Sequence, residues 1–209
     1  MTITVGDRVK SAIDEANSGR FEMALEHAAI AIDVTAKRYF AADESKAKNY
    51  KNLLIEYLWL IELLAFPGLN LEESKFGNYP IKKTPVPTFQ DLIYDVIRCG
   101  LVHAEGVPDS FAFNDSGTLE FADERLVFPK GLIWALLALI VCCPCNSNEK
   151  TAEGYHLTFF GNKLVINDIW GQESFLRVIY ERHKTIRVSV VIGENRPLGQ
   201  DGIKVRYQK

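Results

Sequence analysis

Residues 131–143 read Gly-Leu-Ile-Trp-Ala-Leu-Leu-Ala-Leu-Ile-Val-Cys-Cys, a run without a charged side chain. No other feature constrains the fold as much. Pro129 suits the first turn of a helix. From there Leu132, Ile133, Trp134, Leu136, Leu137, Leu139 and Ile140 fall on every face through about Val141. A helix that is apolar all round must be covered on all sides, by its own chain or by a partner. At ~1.5 Å per residue the run spans only about 20 Å. That is too short for a hydrocarbon core of ~30 Å, so the cover must be protein.

The N-terminal half offers the faces needed. Residues 5–17 place Val9, Ala12, Ile13 and Ala16 on one side of a short amphipathic helix. Asn17-Ser18-Gly19 then turns the chain. Over residues 20–41, Phe21, Ala24, Leu25, Ala28, Ile32, Thr35 and Tyr39 repeat at three and four, and the alanines allow a neighbouring helix to come close. Asp43 is positioned to cap a third helix reaching about Ala65, with a wide face of Tyr50, Leu53, Leu54, Tyr57, Leu58, Ile61 and Leu64. Phe66-Pro67-Gly68 ends it, and residues 67–87 read as a long surface connection. A further helix, 88–104, begins at Thr88, with Asp91 three residues on as in a capping box, and stops at Gly106 before Pro108. Helices joined in this way favour an antiparallel up-and-down bundle. The expectation is a mainly α chain: a helical bundle over 1–105 and a mixed α/β extension over 106–209, with helix 130–143 packing on the bundle.

Within the extension, Ser110–Phe113 and Thr118–Phe121 flank Asn114-Asp115-Ser116-Gly117, which predicts a hairpin. Leu126-Val127-Phe128 adds a strand. Residues 155–170 alternate weakly around a turn at Gly161-Asn162, residues 172–183 suit a helix, and 185–192 and 203–207 read as strands.

The strongest functional signal lies near the end of helix 88–104. Ile97-Arg98-Cys99-Gly100-Leu101-Val102-His103 carries an arginine and a histidine with four residues between them. This phrase resembles the R-x4-6-H motif of the HEPN superfamily, the higher eukaryotes and prokaryotes nucleotide-binding domains. The likeness covers roughly residues 5–105 and extends to the helix after Pro129. It implies a HEPN-like antiparallel bundle and a metal-independent endoribonuclease, acting as a toxin or defence protein and commonly as a dimer. In that setting the expected partners are RNA or nucleotide, a second copy, and an antitoxin or regulatory protein. Arg98 and His103 would be catalytic, with Asp95 and Cys99 in support. Family members often carry Asn, Asp or His where this chain has Cys99.

The motif's geometry sets a condition. Five residues along a straight α-helix turn it by roughly 500°, leaving Arg98 and His103 about 140° apart. His103 then faces the apolar arc of Phe89, Leu92, Ile93 and Val96, and Arg98 faces the polar side with Asp91 and Asp95. One phosphate can meet both only if the helix loosens at Gly100 or if two protomers share a site. The chemistry needs no metal, because RNA supplies its own 2′-hydroxyl nucleophile. A histidine can move that proton, and an arginine can hold two phosphate oxygens and stabilise the transition state. Two other readings stand beside this one: a non-catalytic module that binds nucleotide, RNA or protein, and a purely structural dimer in which Arg98 pairs with Asp95.

Other signals are weaker. Cys142-Cys143-Pro144-Cys145 contains a C-x-x-C spacing but no second pair, so buried thiols are expected rather than zinc. No metal or cofactor is expected. Walker, G-x-S-x-G and H-E-x-x-H signatures are absent. His27, His156 and His183 have no evident partners in sequence. The net charge of -3 gives no global basic field, so any nucleic-acid contact must be local. Lys82, Lys83, Arg177, Arg182, Lys184 and Arg187 are the candidates. The N-terminus lacks a signal layout, and the chain reads as cytoplasmic with no membrane span. The wide apolar faces predict a homodimer.

Overall fold

The computed structural model describes residues 3–77, 86–98, 111–122, 125–192 and 203–207. It is mostly helical with a small sheet portion. Helix α1 (Val5–Asn17) starts at a full capping box: the Thr4 hydroxyl accepts the Asp7 N–H, and the Asp7 carboxylate accepts the Thr4 N–H. Gly19 turns the chain at φ +78°. Helix α2 (Phe21–Tyr39) then packs along α1, and its Ala24, Ala28, Ala31 and Ile32 are all buried.

The third predicted helix is two helices, α3 (Ala47–Glu56) and α4 (Leu58–Ala65). They break at Tyr57, whose backbone sits at φ −109°, ψ 11°. The break has a tertiary cause. The Tyr57 ring lies against Tyr39 and Trp59, and its hydroxyl donates to Glu173 at 2.7 Å. Contacts of this kind outweigh helix propensity, which is worth only tenths of a kcal/mol per residue. α3 also starts after Lys46 without a side-chain cap, so the predicted Asp43 cap is not used.

The described start of the 67–87 connection, residues 67–77, is more ordered than its composition suggests. It contains strand β1 (Lys75–Phe76), and Leu69 bridges to Val188. Helix α5 (Phe89–Asp91) opens on the predicted Thr88–Asp91 capping box and passes directly into a π-helical segment, Leu92–Arg98. Residues 99–104 of the predicted helix, Cys99 and His103 included, lie outside the described residues.

The predicted hairpin is corrected. Strands β2 (Phe111–Asn114) and β3 (Glu120–Ala122) do not pair with each other; β4 (Arg125–Pro129) lies between them, parallel to β2 and antiparallel to β3. β4 takes the centre because its alternate residues Leu126 and Phe128 are core residues, and Phe128 meets the rings of Phe66 and Phe89. Pro129 is the last residue of β4 rather than the first of a helix.

Helix α6 (Gly131–Cys142) is the apolar run. Every residue in it except Gly131 and Trp134 is buried, and it touches α1, α2 and α4. After a 3-10 turn, Pro144–Asn146, come β5 (His156–Phe159) and β6 (Asn162–Val165). Their turn is Phe160-Gly161, at φ +50° and +77°, one residue earlier than predicted. Positive φ at both central positions matches strand twist in a two-residue hairpin. Helix α7 (Ile166–Ile169) replaces the end of the predicted strand, and α8 (Glu173–His183) packs on α4. Strands β7 (Val188–Ile192) and β8 (Ile203–Tyr207) pair antiparallel, and β1 joins β7 in parallel. That sheet joins a strand at residue 75 to one at residue 188, across the 105/106 boundary. Among the described residues no helix is long and apolar enough to cross a membrane.

A polar latch closes the bundle. Glu149 accepts the Gly6 N–H at 2.9 Å and pairs with Arg38 at 2.7 Å. Asn146 donates to Thr35 Oγ1 and to the Ile140 carbonyl, both at 2.9 Å, and accepts from Arg38. At Gly6 a Cβ would lie 1.9 Å from the Lys150 carbonyl oxygen, so only glycine permits this approach. Gly6→Ala should therefore destabilise the protein by ~1–3 kcal/mol, the usual range for overpacking, read as a lower denaturant midpoint. An unchanged midpoint would mean that α1 does not seat on residues 149–150.

Candidate functional site

Arg98 stands at the end of the π segment, on the polar side of its element as predicted. Its partner is not Asp95. Arg98 Nη2 donates to Asp33 Oδ2 on α2 at 3.2 Å, and the guanidinium lies over the Tyr94 ring, 5.7 Å from its centroid. Asp95 is instead held by Lys51 of α3 at 2.8 Å, and the same ammonium reaches Asp91 at 3.0 Å. Lys51 also lies 5.1 Å from the Tyr94 centroid. Tyr94 thus has a cation near its ring from α3 and another from its own segment, and Tyr50 meets it edge-on at 5.2 Å. Asp33 accepts a second hydrogen bond from Ser45.

The local sequence explains the placement. The Thr88–Asp91 box fixes where the element begins. Phe89, Leu92, Ile93 and Ile97 bury one side and leave Asp91, Tyr94, Asp95 and Arg98 half-buried on the other. π segments close i→i+5 rather than i→i+4 hydrogen bonds and are frequent at functional sites. The departure from α geometry therefore comes before Arg98, a turn earlier than the loosening expected at Gly100. Gly100 itself is outside the described residues.

Among the described residues, the cluster holds three carboxylates against two cations. Burial pulls the Lys51 ammonium down, but its hydrogen bonds to Asp95 and Asp91 outweigh this and leave its pKa above the ordinary value. Burial pushes Asp91 up, but the Thr88 hydroxyl and N–H and the Lys51 ammonium hold it below its ordinary 3.8. These pairs are only partly screened, since Arg98 and Asp33 side chains are 20% and 19% exposed. As arranged, the site binds its own carboxylates. An incoming phosphate would meet Asp33 already on Arg98 Nη2.

The remaining sequence candidates are scattered. His27 Nδ1 meets Arg8 at 3.0 Å, and its pKa is lowered by burial and by that guanidinium. His183 stacks on Phe160 with centroids 4.2 Å apart. His156, with Asp14, Asn17, Trp134 and Glu153, lines a cavity of about 470 Å³ between α1 and the β5–β6 hairpin, and this cavity shares no residue with the Arg98 cluster. Arg187 is unsuited to a phosphate track, because it pairs with buried Glu62 and with Asn70. Arg177 pairs with Glu173 and lies over Trp59. Lys184 pairs with Glu181, and Lys82 and Lys83 lie outside the described residues. Cys142 and Cys143 are buried. Among the described residues, no group of three or more His, Cys, Asp or Glu is placed to hold a metal.

Sequence reasoning missed Asp33, Lys51 and Tyr94. They come from three elements, and no local spacing links residues 33, 51 and 94. The only available signal was a polar residue on the outer face of each predicted helix.

The lowered Asp91 pKa fixes a pH dependence. A carboxylate held below its unfolded value adds stability above about pH 4 that is lost as pH falls through the folded value. Lys51→Met should lower the melting temperature at pH 7, and the gap from wild type should narrow below about pH 4. A gap that stays constant down to pH 3 would show that the Lys51 pairs add nothing to stability.

The uncharacterized protein Rv1289 of Mycobacterium tuberculosis (strain ATCC 25618 / H37Rv) is 25% identical over 205 residues, covering 93% of this chain and 96% of that protein. The uncharacterized protein Mb1320 of Mycobacterium bovis matches with the same identity and coverage. No solved structure matches the chain. The family model described as Rv1289 matches residues 4–195, and the chain belongs to that family.

Proposed function

We propose that the chain is a metal-independent endoribonuclease of HEPN type, in a toxin or defence setting. Arg98 and His103 are its catalytic pair, Asp95 and Cys99 support them, and it works as a homodimer. The observation that carries this reading is the position of Arg98. It emerges from a capped, π-widened segment on a helical bundle, with its guanidinium beside an aromatic ring and a second cation 5.1 Å from the same ring. In this reading Tyr94 offers a base a surface to stack on, as aromatic side chains do for single-stranded RNA. Arg98 exchanges Asp33 for the scissile phosphate. His103, from the same or the second protomer, takes the 2′-hydroxyl proton or protonates the leaving 5′-oxygen. Lys51 keeps Asp95 and Asp91 from competing for Arg98.

A second reading is favoured by one specific observation. Arg98 is already committed to Asp33, and the cluster carries more carboxylates than cations. A non-catalytic HEPN-like module that binds nucleotide, RNA or a protein partner through this face fits that balance as well. Cys99, in place of the family's usual polar neighbour, points the same way.

The two readings separate in one assay. The nuclease should cleave single-stranded RNA in EDTA, leave DNA intact, and release 2′,3′-cyclic phosphate ends. His103→Ala should slow cleavage by ~10²–10⁴-fold, and Arg98→Ala by ~10²–10³-fold, with both variants folded. An RNA panel left intact by the wild type, together with measurable RNA or nucleotide binding, would replace the nuclease with the binding module.

A further inference from the structure

The end of α6 holds chemistry that the proposed nuclease does not use. Cys143 closes the helix at φ −61°, ψ 125°, and Pro144 starts a 3-10 turn that the Asn146 N–H locks to the Cys143 carbonyl at 2.9 Å. This turn brings the sulfurs of Cys143 and Cys145 to 3.4 Å, in contact across one proline. Two residues of chain span at most roughly 7 Å between Cα atoms, close to the upper end of the ~4.4–6.8 Å that a disulfide accepts. Cys143 is buried, whereas Cys145 is partly exposed. We propose that Cys143 and Cys145 form a peroxide-responsive dithiol, in which Cys145 meets the oxidant and Cys143 closes the disulfide.

The surroundings fit this assignment. The hydrogen bond from Cys145 lowers the Cys143 thiol to about 7 against the opposing effect of burial. The same shared proton, with burial, pushes Cys145 up. The pair therefore gives up one proton near neutral pH, and the remaining proton bridges the two sulfurs. Arg38 favours negative charge at Cys145, while Glu173, which accepts from Tyr57, opposes it at Cys143. These smaller effects do not reverse the order: the thiolate rests on Cys143 and passes to the exposed sulfur when the shared proton crosses the 3.4 Å between them. Cys142 is different: burial pushes its thiol up to about 12, and it remains an inert core residue.

The step balances with hydrogen peroxide as the oxidant. The Cys145 thiolate attacks one peroxide oxygen, the O–O bond breaks, and the departing hydroxide takes up a proton to leave as water. Cys145 is now a sulfenic acid. The Cys143 sulfur attacks the Cys145 sulfur, the S–O bond breaks, and a second water leaves. Two thiols and one peroxide become one disulfide and two waters. Closing the sulfurs from 3.4 Å to ~2.05 Å draws Cys145 off the Thr35 carbonyl, which it meets at 3.6 Å, and moves its neighbour Asn146 in the latch.

The test treats the full-length protein with hydrogen peroxide, alkylates the remaining thiols, and sequences the Gly131–Lys150 peptide by mass spectrometry. The expected product is two hydrogens lighter, with Cys142 alone alkylated and Cys143 bonded to Cys145. Cys142→Ser should form the same bond. Cys143→Ser should lose it and instead let dimedone trap a sulfenic acid on Cys145. Cys145→Ser should lose the bond and leave Cys143 a thiol. Any of three results would overturn the proposal: no disulfide in the folded wild type, a bond through Cys142, or only intermolecular bonds. Zinc bound stoichiometrically to untreated protein and lost in Cys143→Ser would make the pair a metal clamp instead.

Discussion

The burial of α6 is the constraint on which the other elements depend. A charge-free helix of this length gains ~1.5–3 kcal/mol for each large side chain taken out of water, provided that every face finds a neighbour. α1, α2 and α4 supply those neighbours, and the alanines of α2 let its backbone come close enough to do so. β4 leads into α6 with Phe128 packed on Phe66 and Phe89, which also fixes the start of α5. The 3-10 turn leads out of it and places Asn146 and Glu149 where they close on α1 and α2. The position of Arg98 is thus a distant consequence of covering α6, since α5 and the π segment are seated by the same aromatic group.

What was legible in the sequence was local. The two capping boxes, the α2 stripe and the almost wholly buried α6 follow from side-chain periodicity and from hydrogen bonds within four residues. What escaped was set by partners far along the chain. Tyr57 breaks a helix to reach Glu173, a residue 116 positions away. β2 pairs with β4 because Phe128 belongs to the core, although the turn-rich Asn114–Gly117 tetrad favours a hairpin. The strand at Lys75–Phe76 exists only because β7 supplies its hydrogen-bond partners. The site shows the same division. Arg98 was singled out by its motif, but Asp33, which pairs with it, and Lys51, which pairs with Asp95, carry no local pattern that marks them.

In the proposed function, Asp33 acts as an internal competitor for phosphate. Among the described residues, the cluster around Tyr94 pairs each cation with a carboxylate and shows no surplus of positive charge to attract nucleic acid at long range. Recognition then depends on exchange at short range: a phosphate that accepts two guanidinium hydrogen bonds against a carboxylate that accepts one at 3.2 Å. Such an exchange favours a ligand that also stacks on Tyr94, because stacking adds ~1–3 kcal/mol that Asp33 cannot match. In that proposal the arginine is held in check until a flexible single strand arrives.

The claim shared by the nuclease and binding readings is that the Arg98 face contacts RNA and that Asp33 opposes it. Fluorescence anisotropy with a single-stranded, 2′-O-methyl RNA, which cannot be cleaved through its own hydroxyl, measures this directly. Asp33→Asn should bind more tightly than wild type, and Arg98→Ala should bind more weakly with a shallower dependence on salt. Equal affinity across wild type, Asp33→Asn and Arg98→Ala, with all three folded, would contradict the assignment of this face to RNA.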